Sequence, residues 1–264
     1  MTLATTSHLA LPFEVRGTGD PILFISGAAD DRNGWAMQVP AFETGYRCIT
    51  FDNRDVGASP RVSEDYSIQD MALDALAVMD RAGAERAHIV GHSMGGLISL
   101  AIASIAPERV TSLVLVDTFA HATPYLEAVG ERWNVAARHL SSEDLVRVAL
   151  PDWVGESTIR EVGFENLVAE IAPALAAQGA DAFLRQINAA IRADLRPALG
   201  GIVAPTLVVW STEDTCTPES LSKELASNIP GARMVRIEGS GHSPTIEQPD
   251  ALNDALREFF TSIQ

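Results

Sequence analysis

One serine, one histidine and a short set of carboxylates stand in this chain at places that suit nucleophilic catalysis. Ser93 lies in Gly91-His92-Ser93-Met94-Gly95-Gly96. A serine hydroxyl is a weak nucleophile at neutral pH and needs a base within hydrogen-bond reach. The glycines two residues to either side allow a turn so tight that a side chain there would collide with it, and such a turn lifts the serine clear of its surroundings. Chance alone supplies on the order of 0.1 such matches in a chain of this length, so the pattern counts only with its context. That context is present: the apolar run 87–90 precedes it directly and a helix-forming run follows. A helix N-terminus there offers backbone N–H groups and positive potential to a developing oxyanion. The Met94 N–H is the expected donor, and His92 reads as a packing residue beside the turn.

The chain has six histidines, His8, His88, His92, His121, His139 and His242. His242 follows the last strand-like run in Gly239-Ser240-Gly241-His242-Ser243, and a loop at a strand's C-terminal end is where sites on parallel sheets assemble. His88 and His139 read as structural. An acid must hold the imidazole in the right tautomer and stabilise its protonated form. Asp214 is favoured because Asp214-x-x-x-Pro218 ahead of a helix projects a carboxylate back over a sheet. Asp117, after the run 110–116, and Glu213 are the alternatives. Asp117 otherwise reads as a helix cap or a hinge residue. A second oxyanion donor is expected in the loop 26–35, where Gly27 lets the backbone approach closely and Ala28 supplies the N–H.

These groups need a scaffold that brings distant loops to one edge. Runs 21–25, 46–51, 87–90, 110–116, 205–210 and 232–237 are nearly continuous apolar strands, as strands covered on both faces should be. Helical periodicity lies between them. Residues 67–81 carry a capping-box start at Ser67 with Asp70 and a stop at Gly83; further helices are expected over 97–106 and 244–260. The alternation predicts an α/β fold with a mostly parallel, doubly wound sheet. It breaks over 119–198, where helical fragments are punctuated by Pro124, Pro151, Gly155, Pro173 and Gly179. The expected organisation is a core of residues 1–118 and 199–264 with a helical cap inserted at 119–198. The acidic stretch 170–181 reads as a solvated helix. Leu126, Trp133, Trp153, Phe164, Leu167 and Phe183 are large apolar residues of that insertion. Trp133, Trp153 and Phe183 are the candidates for a substrate pocket above Ser93.

Taken together, Gly27 through Trp35, Asp52-Asn53-Arg54-Asp55-Val56-Gly57-Ala58-Ser59, the Gly91–Gly96 turn, Asp214 and His242 resemble the α/β-hydrolase superfamily over nearly the whole chain. The order serine, acid, histidine is the one that fold uses. The stretch from Ala193-Asp194-Leu195-Arg196-Pro197 to Ala204-Pro205-Thr206-Leu207 is similar to 3-oxoadipate enol-lactonases, and Asp52 through Ser59 to polyketide methylesterases. Two positions depart from the family pattern: Ser26 stands where histidine is usual and Asp55 where glycine is usual. The first removes a residue that often shapes the oxyanion loop.

Composition bounds the remainder. Lys and Arg number 19 against 35 Asp and Glu, a net charge of −16. Without a basic cluster, a nucleic-acid partner is excluded. Cys48 reads as a small buried hydrophobe and Cys216 as a loop residue; two unpaired cysteines fit a reducing compartment. Residues 1–13 lack a basic start and a long apolar stretch, so no signal peptide is expected, and the longest apolar run is too short to span a bilayer. The expectation is a cytoplasmic protein with no membrane partner, no metal and no cofactor, with homo-oligomerisation left open. The small-molecule substrate expected is a carboxylic ester or lactone. Arg132, Arg138, Arg147 and Arg160 are scattered through the insertion and leave room for a single carboxylate on it. Two other readings share the residues: hydrolysis of a C–C bond in a ring-cleavage product, and a ligand-binding receptor on a hydrolase scaffold.

Overall fold

A computed structural model describes residues 9–263. His8 and most of the segment read above as lacking a signal peptide lie outside the described residues. Seven strands form one sheet: β1 (Phe13–Arg16), β2 (Asp20–Ile25), β3 (Tyr46–Phe51), β4 (Ala87–His92), β5 (Val110–Val116), β6 (Thr206–Ser211) and β7 (Arg233–Ile237). Their order is β1-β3-β2-β4-β5-β6-β7, with β1 antiparallel to β3 and every other pair parallel. The chain leaves β2 toward β3 on one side and returns as β4 on the other. The direction of winding therefore reverses between β2 and β4, and the loops leaving their C-terminal ends diverge to open a crevice there.

The sheet is covered on both faces, and single strands show why their sequences run apolar without alternation. Leu23 and Ile25 of β2 join one buried cluster while Ile22 and Phe24 join the other. Leu113 and Leu115 of β5 divide from Val114 and Val116 in the same way. Helices α1 (Val39–Phe42), α2 (Ile68–Arg81) and α3 (Met94–Ile105) follow β2, β3 and β4 in the chain. The capping box at Ser67 forms as expected, with side chain and backbone of Ser67 and Asp70 bonded reciprocally.

Between β5 and β6 run α4 (Pro124–His139), α5 (Ser142–Trp153), α6 (Glu156–Val162), α7 (Phe164–Gln178), α8 (Ala180–Arg192) and α9 (Arg196–Leu199). They build their own apolar cluster, centred on Val129, Trp133, Val146, Leu150, Leu167 and Phe183. The stretch 170–181 is mostly exposed, but Leu175 and Gln178 within it are buried. After β6 come α10 (Glu219–Asn228), α11 (Pro244–Glu247) and α12 (Pro249–Ser262).

Three local readings need correction. Helix α3 begins at Met94 rather than 97, directly on the serine turn. The span 244–260 is two helices, because Pro249 disfavours the helical conformation at Gln248, which lies outside it at φ −136°, ψ 57°. Strand β1 went unread: four residues on an edge, three of them exposed, carry little pattern.

Asp55 also gains an explanation. Its φ is +72°, where glycine is the unstrained choice. Its carboxylate is fully buried and takes a two-pronged ion pair from Arg185 of α8, at 2.8 and 3.0 Å, plus the Val62 N–H at 2.9 Å. Strain at one core residue is thus offset by the tie that holds α8 down. Arg185→Met is expected to strand that carboxylate and lower unfolding stability by about 3–5 kcal/mol. Adding Asp55→Gly should recover most of the loss, since it removes both the stranded charge and the strain. Denaturant midpoints of the three proteins check this; a wild-type midpoint for Arg185→Met contradicts it.

Candidate functional site

The strand β4 delivers the chain into the serine turn. Ser93 sits at φ +53°, ψ −120°, a conformation costly for a residue with a side chain. It persists because the surroundings determine it. The Ser93 N–H donates to Val116 O at 2.9 Å, and its carbonyl accepts from the Gly96 N–H at 2.8 Å and the Thr118 hydroxyl at 2.6 Å. A Cβ on Gly91 would fall 2.2 Å from Gly95 O, and one on Gly95 would fall 2.1 Å from Ile25 O. Both glycines are therefore steric requirements of the turn.

The β6 loop brings Asp214 to His242 from the β7 loop. His242 Nε2 is 2.8 Å from Ser93 Oγ, and His242 Nδ1 is 2.8 Å from Asp214 Oδ2. An ionised carboxylate can only accept, so Nδ1 carries the proton and Nε2 presents its lone pair to the serine hydroxyl. Asp214 accepts further bonds from the Cys216 and Thr217 N–H groups at 2.8 and 2.9 Å and from the Thr217 hydroxyl at 2.6 Å. Burial alone would raise its pKa; the His242 imidazole and the Thr217 donors outweigh it and hold the carboxyl below the usual range. For His242, burial favours the neutral ring, but the Asp214 carboxylate and its hydrogen bond raise the pKa above the ordinary value.

The alternative acids are placed elsewhere. Asp117 turns to β6, accepting from the Ser211 N–H at 2.8 Å and the Ser211 hydroxyl at 2.7 Å. Neither of these bonds reaches a helix N-terminus or His242. Burial, then the charge of Asp214, pushes the Asp117 carboxyl well up. Glu213 accepts from the N–H and hydroxyl of Ser157. Glu247, which no sequence signal marked, accepts from Gly155 N–H at 2.8 Å, Thr158 hydroxyl at 2.7 Å and Ser243 N–H at 3.0 Å. The first turn of α6 is thus bound by two carboxylates from the core. Residues Gly155 and Gly241 meet so closely that a Cβ on the latter would lie 2.1 Å from Gly155 N.

His92 does more than pack. Its Nε2 lies 2.6 Å from the His242 carbonyl oxygen, so the ring donates there and pins the backbone of the base. Burial and the adjacent His242 push its pKa down to about 3, which keeps it neutral. His88 bonds Ser112 at 2.7 Å, and His139 is exposed on the last turn of α4.

A cavity of about 300 Å³ lies over Ser93, bounded by Ala28, Asp30, Trp133, Trp153, Phe183 and Ile246 among others. A second space of about 40 Å³ beside Ser93 is lined by Ala28, Met94, Phe119, Leu126 and Cys216. All three aromatic residues expected at a pocket are in the wall, with Trp153 edge-on to both Trp133 and Phe183. Leu126 faces the smaller space, while Leu167 and Phe164 pack within the insertion. The Met94 N–H is the first of α3 and has no intrahelical acceptor. The Ala29 N–H is taken by Gln186 Oε1 at 2.8 Å, and Ala28 lines the cavity beside Ser93. Where the family has histidine, Ser26 donates to Asp31 O at 2.9 Å and receives Asn53 Nδ2 on its carbonyl at 3.0 Å. Among the described residues, no group of three or more His, Cys, Asp or Glu is placed to hold a metal ion, and no single helix is long and apolar enough to cross a membrane.

A model of the Alpha/beta hydrolase family matches residues 22–255. The chain belongs to that family. BpoC of Mycobacterium tuberculosis, named for a non-heme bromoperoxidase, is 33% identical over 267 residues, spanning 96% of this chain and 98% of its own. RutD of Azorhizobium caulinodans, named for a carbamate hydrolase, is 32% identical over 255 residues, 94% of each chain. The crystal structure of an enol-lactonase from Burkholderia xenovorans LB400 matches with a TM-score of 0.87 at 28% identity, covering 95% of this chain and 96% of that one. This α/β hydrolase is therefore a hydrolase whose relatives carry several different activities.

The hydrogen-bond geometry predicts which carboxylate governs the imidazole. Asp214→Asn should lower the His242 titration midpoint, since it removes the charge that raises it; Asp117→Asn should leave the midpoint near wild type. Proton NMR of the His242 ring follows both. A midpoint that moves with Asp117→Asn and not with Asp214→Asn contradicts the assignment.

Proposed function

We propose that this protein cleaves a carboxylic ester or lactone through an acyl-enzyme on Ser93. The observation that carries the reading is the continuous chain Ser93 Oγ, His242, Asp214, with 2.8 Å at each link, on the floor of a mostly apolar cavity. As Ser93 Oγ attacks the carbonyl carbon, His242 Nε2 takes its proton. Asp214 stabilises the imidazolium that forms. The N–H groups of Ala28 and Met94 receive the negative charge that develops on the carbonyl oxygen. The imidazolium then returns its proton to the departing alkoxide. In a second half, water deprotonated by His242 attacks the acyl carbon, the bond to Ser93 Oγ breaks, and the imidazolium returns its proton to that oxygen as the acid leaves. In a lactone, the alkoxide stays tethered to the acyl group.

Every proton and electron pair in this sequence is supplied by Ser93, His242, water and substrate, so the proposed reaction runs without metal or organic cofactor. Residues 119–198 act as a cap that contributes Trp133, Trp153 and Phe183 to the substrate wall. The named activities of the enol-lactonase and RutD relatives, both cleavage of an acyl–heteroatom bond, support the reading.

With a chromogenic short-chain ester, Ser93→Ala is expected to lower the rate by at least about 10³-fold without changing the circular dichroism spectrum. A variant that keeps a tenth of the wild-type rate removes Ser93 from the mechanism. Asp214→Asn should reduce kcat on the scale of the ~10⁴-fold loss known for that change in a Ser-His-Asp triad, and Asp117→Asn far less. Steady-state kinetics at saturating ester separate the two; the reverse order would transfer the acid's role to Asp117.

A further inference from the structure

The charge of the cavity wall bears on which esters can enter. Two charged side chains line the larger cavity, Asp30 and Glu170, and both are acidic. Among the described residues, no lysine or arginine does. None of the seven arginines of the insertion lines it; Arg185 is committed to Asp55, Arg192 to Asp65 and Arg196 to Asp194. Arg132 is committed to Asp152, Arg147 to Glu143 and Glu165, and Arg160 to Glu156; Arg138 is exposed. Asp152, partner of Arg132, also takes the indole N–H of Trp133 at 2.9 Å, which keeps that pair behind the aromatic wall.

Asp30 is built into the wall. It stands in the loop after β2, two residues beyond Ala28, and its carboxylate lies against the backbone of Gly34. A Cβ on Gly34 would fall 2.0 Å from Asp30 Oδ2, so the absence of a side chain there makes room for the acid. The charges that act on it are Asp31 and Asp52, both negative. Burial first, then Asp31, pushes its pKa up to about 7. The same cavity is lined by the rings of Trp133, Trp153 and Phe183, and aromatic rings carry negative potential on their faces that attracts cations. A carboxylate entering this space meets like charge, finds no cation to pair with and loses its water. A neutral group meets apolar surface, and an ammonium group meets aromatic side chains and two acids.

We infer that the pocket selects by charge: it takes an ester or lactone whose non-reacting part is uncharged or carries an ammonium group, and it rejects one that carries a carboxylate. A lactone retaining a free carboxylate falls in the rejected class. This rests on the ester-hydrolase reading for its chemistry, though not for the charge of the wall.

The test compares p-nitrophenyl esters of three acids of similar length: pentanoate, monoglutarate and 4-(trimethylammonio)butanoate. They are assayed at low ionic strength and pH 8.5, on the wild type and on Asp30→Asn/Glu170→Gln. Expected is a kcat/KM for the pentanoate at least 100-fold above the glutarate, with the ammonium ester within tenfold of the pentanoate or above it. The double variant should shrink the pentanoate-to-glutarate ratio at least tenfold. Should that variant not fold, Glu170→Gln alone, at an exposed position, should shift the ratio the same way by less. A glutarate ester turned over within threefold of the pentanoate, or a ratio unchanged by the substitutions, overturns the inference. Calorimetric binding of the same three esters to Ser93→Ala reads the charge preference without turnover. Absence of turnover for all three with the charge order intact in binding would therefore count against the ester-hydrolase reading and for the inference.

Discussion

The left-handed backbone at Ser93 is the constraint to which the rest of the site conforms. A residue with a side chain holds φ +53° only if its neighbours leave no alternative. Here the neighbours are β5, which accepts the Ser93 N–H through Val116, and Thr118, which grips its carbonyl. The two glycines then let α3 start against the end of β2. Once the turn is set, the hydroxyl points into the crevice where the winding reverses. The first N–H of α3 is unsatisfied within the helix, and the loop after β2 lies within reach. Sheet topology and chemistry meet in one residue.

The second constraint is electrostatic. Two buried aspartates, Asp117 and Asp214, end neighbouring strands, and both cannot easily be ionised so close together. The structure resolves the conflict by giving them different partners. Asp214 receives the imidazole, a hydroxyl and two amides, and its charge is stabilised. Asp117 receives only Ser211, and its proton is retained to higher pH. The same economy holds the insertion in place. Glu213 and Glu247 bind the first turn of α6, and Asp55 binds Arg185 of α8, so carboxylates of the core reach both ends of the pocket's roof.

Much of this was legible in the residues, for reasons that differ by element. The parallel strands announced themselves because both faces are buried and their sequences run apolar throughout. The serine turn was legible because steric demands at Gly91 and Gly95 restrict residue type. Asp214 and His242 can be located in the sequence only relative to strand ends, which leaves three carboxylates as candidates; the structure places Asp214 against His242. What escaped detection depends on contacts between residues far apart in sequence. His92 bonds a carbonyl 150 positions away, and Glu247 caps a helix some 90 residues before it. Nothing local distinguishes such residues from packing or solvated ones. Asp55 was visible as a departure from the family's glycine, but its reason lay in Arg185, 130 residues on.

We propose that the environment of the Ser93 hydroxyl makes it, among all the hydroxyls of the chain, the nucleophile. The most direct measurement is covalent labelling with a fluorophosphonate at neutral pH, followed by intact mass and peptide mapping. A single adduct is expected, located on Ser93, that forms quickly in the wild type and is lost when His242 is replaced by alanine. An unlabelled protein, an adduct on another residue, or labelling undiminished in the His242→Ala variant would contradict it.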